Sequence, residues 1–97
     1  MITKSECIRQ IQSCADTLRQ HFGVSSLRLF GSVARGEQTN HSDVDVCVEM
    51  VPKLFLKIEL AMFLEKLLGC HVDVIRIHPN MNTLLKEEIE RDGVCVF

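Results

Sequence analysis

Two short stretches restrict this chain more than anything else in it. They are Phe30-Gly31-Ser32-Val33-Ala34-Arg35-Gly36-Glu37 and Ser42-Asp43-Val44-Asp45-Val46. The first reads as a strand end, a tight turn and the start of a short helix. The second places two aspartates two residues apart on an alternating strand. Side chains at i and i+2 of a strand share a face and stand ~6.6 Å apart along it. Carboxylates so placed can share one or two divalent cations. A Gly-Ser turn that enters a helix offers backbone N–H groups and a hydroxyl to a phosphate. A phosphate cradle beside metal-binding carboxylates is what phosphoryl or nucleotidyl transfer requires.

The rest of the chain supplies a scaffold for these stretches. Thr3 and Glu6 form a capping box. Ile8, Ile11, Ala15, Leu18 and Phe22 follow at helical spacing, which predicts one helix over Lys4–Phe22, stopped by Gly23. Ser26–Phe30 alternates as a first strand. Val33–Arg35 begins a short helix, and Gly36–Asn40 reads as a polar loop. Asp43–Met50 alternates strictly, with Asp43, Asp45, Cys47 and Glu49 on one face and Val44, Val46, Val48 and Met50 on the other.

Pro52 opens a second long helix over Lys53–Leu68. It carries two apolar stripes. Leu54, Ile58, Ala61, Met62 and Leu68 form one, and Leu56, Leu60, Phe63 and Leu67 form the other. One can face a sheet. The second needs cover as well, from the first helix or from a partner chain. His71–Ile77 is a third strand, with Asp73 on the face of His71 and Ile75. Pro79-Asn80 turns the chain into a helix over Met81–Asp92, with Met81, Leu84, Leu85 and Ile89 inward. Val94–Phe97 fits a sheet-edge strand. The alternation of helices and strands predicts an α/β fold, a small mixed β-sheet with helices packed on it.

Composition narrows the function classes. At 97 residues a single domain over 1–97 is expected. Hydrophobic residues make up 46%, enough for a modest core. The net charge of -2, without a run of Lys or Arg, gives no signal for broad nucleic-acid binding. Charges at Lys57, Glu59, Glu65 and Lys66 interrupt the longest apolar run, so no membrane span is expected. The opening residues turn charged at once, unlike a secretory leader. The five cysteines have no CxxC spacing and fall within apolar patterns. Buried, reduced thiols in a cytoplasmic protein are therefore expected.

Asp43, Asp45 and Asp73 are the candidate catalytic and metal-binding residues. Each begins a strand among apolar neighbours, where an unpaired carboxylate is costly. Three together repel one another unless a cation neutralises them. Any one alone reads more readily as a cap or a solvated strand end. Gly31 and Ser32 are the candidate phosphate-binding pair. Arg35 fits either a phosphate contact or an ion pair with Glu37 or Glu49. Arg76 and Lys53 fit the rim of a site or plain solvation. His41, His71 and His78 read as exposed histidines, and no His/Cys group has zinc spacing.

Taken together, Gly31-Ser32, Ala34-Arg35-Gly36-Glu37, Ser42-Asp43-x-Asp45 and the later strand Asp73 resemble the nucleotidyltransferase superfamily related to DNA polymerase beta. More closely, they resemble its MNT group, the minimal nucleotidyltransferases, over nearly the whole chain. The resemblance implies a polymerase beta-like nucleotidyltransferase fold and an enzyme that uses ATP and two Mg²⁺ ions. It implies that Gly31 and Ser32 hold the β,γ-phosphates and that Asp43 and Asp45 bridge the metals. Asp73 would bind the metal beside the attacking hydroxyl and help to take its proton. It further implies an antitoxin that adenylylates a helical HEPN-type toxin, in an assembly with that partner or with itself. A small-molecule acceptor such as an aminoglycoside, or neutralisation by contact alone, stays open at this point.

Overall fold

The period-two alternation around Val44, Val46 and Val48 builds the central ladder of the fold. The computed structural model describes residues 3–36, 43–78 and 80–97. The readings that fall on Glu37, Asn40, His41, Ser42 and Pro79 lie outside the described residues. In chain order the elements are α1 (Lys4–Ser13), α2 (Ala15–His21), β1 (Ser26–Phe30), α3 (Gly31–Ala34) and β2 (Val44–Glu49). They continue with α4 (Leu54–Leu68), β3 (Val72–Arg76), α5 (Thr83–Asp92) and β4 (Val94–Cys95).

The four strands form one mixed sheet in the order β3-β2-β1-β4. β1 runs antiparallel to β2 and β4, and β2 runs parallel to β3. A parallel pair needs a crossover connection, which α4 supplies. On one face Leu27 and Leu29 of β1 join Val44, Val46 and Val48 of β2. Cys7 and Ile11 of α1, Leu18 of α2, and Leu60 and Leu64 of α4 complete that core. Cys47 and Ile89 are buried outside this cluster. Cys47 is the register partner of Arg28 and alternates with the core valines, which puts both on the sheet's second face.

Several expectations change in the folded chain. The first helix is two helices. Ser13 Oγ donates to the Gln10 carbonyl at 2.6 Å, and the Cys14 N–H turns back to Ile11. A serine that bonds its own backbone competes with helix continuation. The short helix begins at Gly31 rather than Val33. On α4 the second stripe is already covered inside the chain. Leu60 is buried, and Leu56, Phe63 and Leu67 pack against the core. The uncovered apolar residues are Leu54, Phe55, Ile58 and Met62. Leu84 of α5 is 70% exposed and does not point inward. All five cysteines are free, but only Cys7 and Cys47 are buried, and Cys95 is exposed. Burial pushes the Cys7 and Cys47 thiols up to about 11, which leaves them protonated and inert at neutral pH. Among the described residues no helix is long and apolar enough to cross a membrane.

Candidate active site

Register brings the acidic residues together. Phe30 of β1 is paired with Asp45 of β2, and Asp45 with Asp73 of β3. The three therefore lie in one row across three strands, at the end of β1 where the chain turns into α3. Asp45 and Asp73 stand on adjacent parallel strands with side chains on the same face. Asp43 precedes β2 and shares that parity.

Gly31 follows Phe30 at a φ of 77°. That backbone region favours glycine. A Cβ at this position would also run into the Asp45 carboxylate, meeting Oδ2 first and Cγ at 3.2 Å. The glycine thus lets the α3 backbone close onto the acidic row. Among the described residues no side chain caps the start of α3. Its first-turn N–H groups, including that of the half-buried Ser32, have no acceptor inside the helix. The Arg35 N–H closes the turn on the Gly31 carbonyl at 3.2 Å.

The electrostatics follow from this crowding. The Asp45 carboxyl holds its proton more tightly than an ordinary aspartate. Burial is the largest cause, followed by the negative charges of Asp73 and Asp43 and a hydrogen bond with Asp73; the Arg35 charge opposes them. Ligand atoms of Asp43, His71 and Asp73 all lie within 4.8 Å of one another. His71 Nε2 is 3.1 Å from Asp73 Oδ1, and its Nδ1 is 2.7 Å from Glu65 Oε2. The same Glu65 oxygen accepts from the Val72 N–H at 3.2 Å. Partial desolvation works against a charged His71 ring. The charges of Asp43, Asp73 and Glu65 and the Asp73 hydrogen bond outweigh it, so the imidazole titrates above its usual value. Carboxylate oxygens in mutual repulsion, one of them driven toward its neutral form, are a donor set that fits a divalent cation.

The structure therefore groups Asp43, Asp45 and Asp73 with Gly31, and places Ser32 and Arg35 on the adjoining turn. Asp45 lies outside the tightest triple; it touches Gly31 and Asp73 instead. Sequence reasoning read His71 as an exposed histidine, which it is, without its contact to Asp73, and gave Glu65 no part in the site. The His71-x-Asp73 spacing on one strand face was the available signal for the first. Glu65 has none, because only the packing of α4 against β3 carries it to His71. Glu49 sits opposite Ser26, at the other end of the β1–β2 pair from Asp45. Arg76, Lys53 and His78 lie apart from the acidic row, along the outer side of β3.

With this geometry in place, comparison with known proteins is specific. The family model described as "Polymerase beta, Nucleotidyltransferase" matches residues 12–97. The protein adenylyltransferase MntA of Thermococcus cleftensis is 42% identical over 77 residues, covering 77% of this chain and 78% of that protein. A solved structure of a provisionally assigned minimal nucleotidyltransferase superposes with a TM-score of 0.78 at 30% identity, over 96% of this chain and 95% of the other. A chain in the Shewanella oneidensis complex of a tri-AMPylated HEPN toxin with an MNT antitoxin shares the fold. Its TM-score is 0.65 at 19% identity, over 93% of this chain and 71% of that one.

Proposed function

This chain belongs to the polymerase beta nucleotidyltransferase family, and from that premise we propose that it is a protein adenylyltransferase. It moves AMP from ATP to a hydroxyl of a HEPN-type helical toxin and so acts as the antitoxin of the pair. The observation that carries the reading is the row Asp45–Asp73 closed by Gly31, with Asp43 and His71 at its mouth. A fold alone would not support it, since one fold hosts many functions. The AMPylated toxin of the Shewanella complex and the MntA relative support the acceptor class.

Asp43, Asp45 and Asp73 would hold Mg²⁺, in the two-ion arrangement that such transfers use. Magnesium held there supplies positive charge against the triphosphate and the leaving pyrophosphate. The chain's own residues do the rest. Gly31 and Ser32 present N–H groups and a hydroxyl to the β,γ-phosphates. Arg35 adds a guanidinium beside them. The acceptor oxygen attacks the α-phosphorus, the bond to the β-phosphate oxygen breaks, and pyrophosphate leaves. Asp73 takes the hydroxyl proton. His71, braced by Glu65, fixes the Asp73 carboxylate. Free cysteines, two of them buried, suit a reducing cytoplasm.

Incubation with α-³²P-ATP, Mg²⁺ and the partner toxin, followed by denaturing electrophoresis, tests the reading. Label on the toxin that vanishes with Asp43→Ala is the expected result. Label that survives Asp43→Ala, or a folded complex that takes none, overturns it.

A further inference from the structure

Along the free edge of β3, beyond Asp73, lies a cavity that the reaction described above does not use. It encloses about 670 Å³ between the starts of α4 and α5 and the outer half of the strand. Lys53, Lys57 and Arg76 line it with His78, and among the described residues no aspartate or glutamate does. That is a selective lining in a chain with 13 acidic residues and 11 basic ones. None of the three cations forms an ion pair with a described carboxylate. The cavity therefore holds concentrated positive charge with no counter-charge from the described residues.

It also borders Asp73, the outer member of the acidic row. A smaller depression of about 200 Å³ includes Asp73 and shares Leu54, Lys57 and Val74 with the larger one. β3 is an edge of the sheet. The Val44 N–H bonds to the His71 carbonyl and the Ile77 N–H to the Val48 carbonyl, so odd-numbered residues of β3 face β2. Val74 and Arg76 thus turn their N–H and C=O groups outward, where an added strand can bond them. Arg76 is three residues past Asp73, ~10 Å along the strand.

We propose that this track seats the acceptor polypeptide: its hydroxyl residue stands at Asp73, and acidic side chains about three residues away enter the Lys53–Lys57–Arg76 cavity. The inference rests on the reading that the acceptor is a protein hydroxyl. It adds what selects that hydroxyl, namely an extended acidic flank held by strand addition and charge. Leu54 and Val74 supply apolar contact between the two ends of the track. Among the described residues of the lining a nucleic-acid strand meets charge but no phenylalanine, tyrosine or tryptophan, and His78 is the one ring on which a base can stack.

The test uses fluorescein-labelled Ala-Tyr-Ala-Asp-Glu-Glu, its Ala-Tyr-Ala-Asn-Gln-Gln counterpart and a six-nucleotide single-stranded RNA as probes. Binding to the full chain is read by anisotropy, and transfer by label from α-³²P-ATP. The acidic peptide is expected to bind at least ~10-fold tighter than the neutral one, and to lose that margin in Lys57→Glu/Arg76→Glu and in high salt. Lys57→Gln/Arg76→Gln should give an intermediate loss with an unchanged melting curve, which separates charge from misfolding. Asp45→Asn should keep the binding. Equal binding of the two peptides, indifference to the charge reversals, or tighter binding of the RNA in the cavity overturns the proposal. The two readings fail separately. Transfer that ignores the acidic flank removes the cavity's role and leaves the enzyme. Charge-dependent binding without transfer to peptide or toxin does the reverse.

Discussion

Replacing Asp45 by asparagine should abolish transfer and at the same time make the metal-free fold more stable. Asp45 and Asp73 are register partners on neighbouring strands, and such strands stand ~4.8 Å apart. Two like unit charges ~5 Å apart repel by ~0.8 kcal/mol in water and by ~3 kcal/mol at an effective dielectric constant of ~20. The Asp73 side chain is 53% exposed, so solvent screens the pair and the lower part of that range applies, about 1 kcal/mol. An asparagine keeps the shape and lets an amide N–H donate to Asp73. In a domain of this size about 1 kcal/mol moves the melting temperature by ~4–8 °C. The assay is thermal unfolding in EDTA. The folded state raises the Asp45 pKa above its ordinary 3.8, so the wild-type penalty is full at neutral pH. It shrinks as pH falls through the raised value and is gone below 3.8. The two melting temperatures should therefore converge in acid. Mg²⁺ at ten times its dissociation constant should return ~1.4 kcal/mol to the wild type and less to the variant. A variant that melts at or below the wild type at pH 7 in EDTA would refute the reasoning, as would a gap that persists in acid.

Three further outcomes follow from the same geometry. Gly31→Ala forces a side chain into left-handed backbone, at ~1–2 kcal/mol, and displaces the Asp45 carboxylate; transfer should fall below detection and the melting temperature should drop, whereas retained labelling would contradict the close approach. Leu60→Asp buries a charge in the core and should leave no cooperative unfolding transition, while Ile58→Asp on the uncovered side of α4 should stay within ~0.5 kcal/mol of wild type by urea unfolding. His71 should titrate above 6.5 by NMR and move down in Asp73→Asn; any stability it contributes is present below 6.5 and lost as pH rises through the folded value, and an unmoved titration would break its assigned contact.

Much of the fold was legible because its signals are local. The alternation of Val44, Val46 and Val48 with Asp45 and Cys47 needs no partner to be read as a strand, and Gly69 marks the end of α4 by the left-handed backbone it adopts. What escaped depended on contacts across the chain. The break at Cys14 comes from a serine hydroxyl choosing its own backbone, which no periodicity announces. On α4 both stripes are equally apolar, so composition could not say which of them the sheet and α1 would cover. Leu84 looked inward by spacing, yet α5 buries only Ile89.

The candidate site divides the same way, and the division says what kind of residue a motif can reveal. Asp43, Asp45, Gly31 and Ser32 answer to short-range rules, strand parity and turn conformation. Asp73 lies 28 residues from Asp45. It was reachable only because a second strand with the same parity had to pair somewhere in a small sheet. Register then decides the chemistry: a shift of one residue between β2 and β3 would turn Asp73 to the valine face and leave Asp45 unpaired. Glu65 lies beyond this reach, since its role exists only through the crossover that makes β2 and β3 parallel. The helix that closes that crossover also carries Lys57 to the cavity beside β3. A single element therefore braces Asp73 through Glu65 and His71 at one end and frames a cationic cavity at the other.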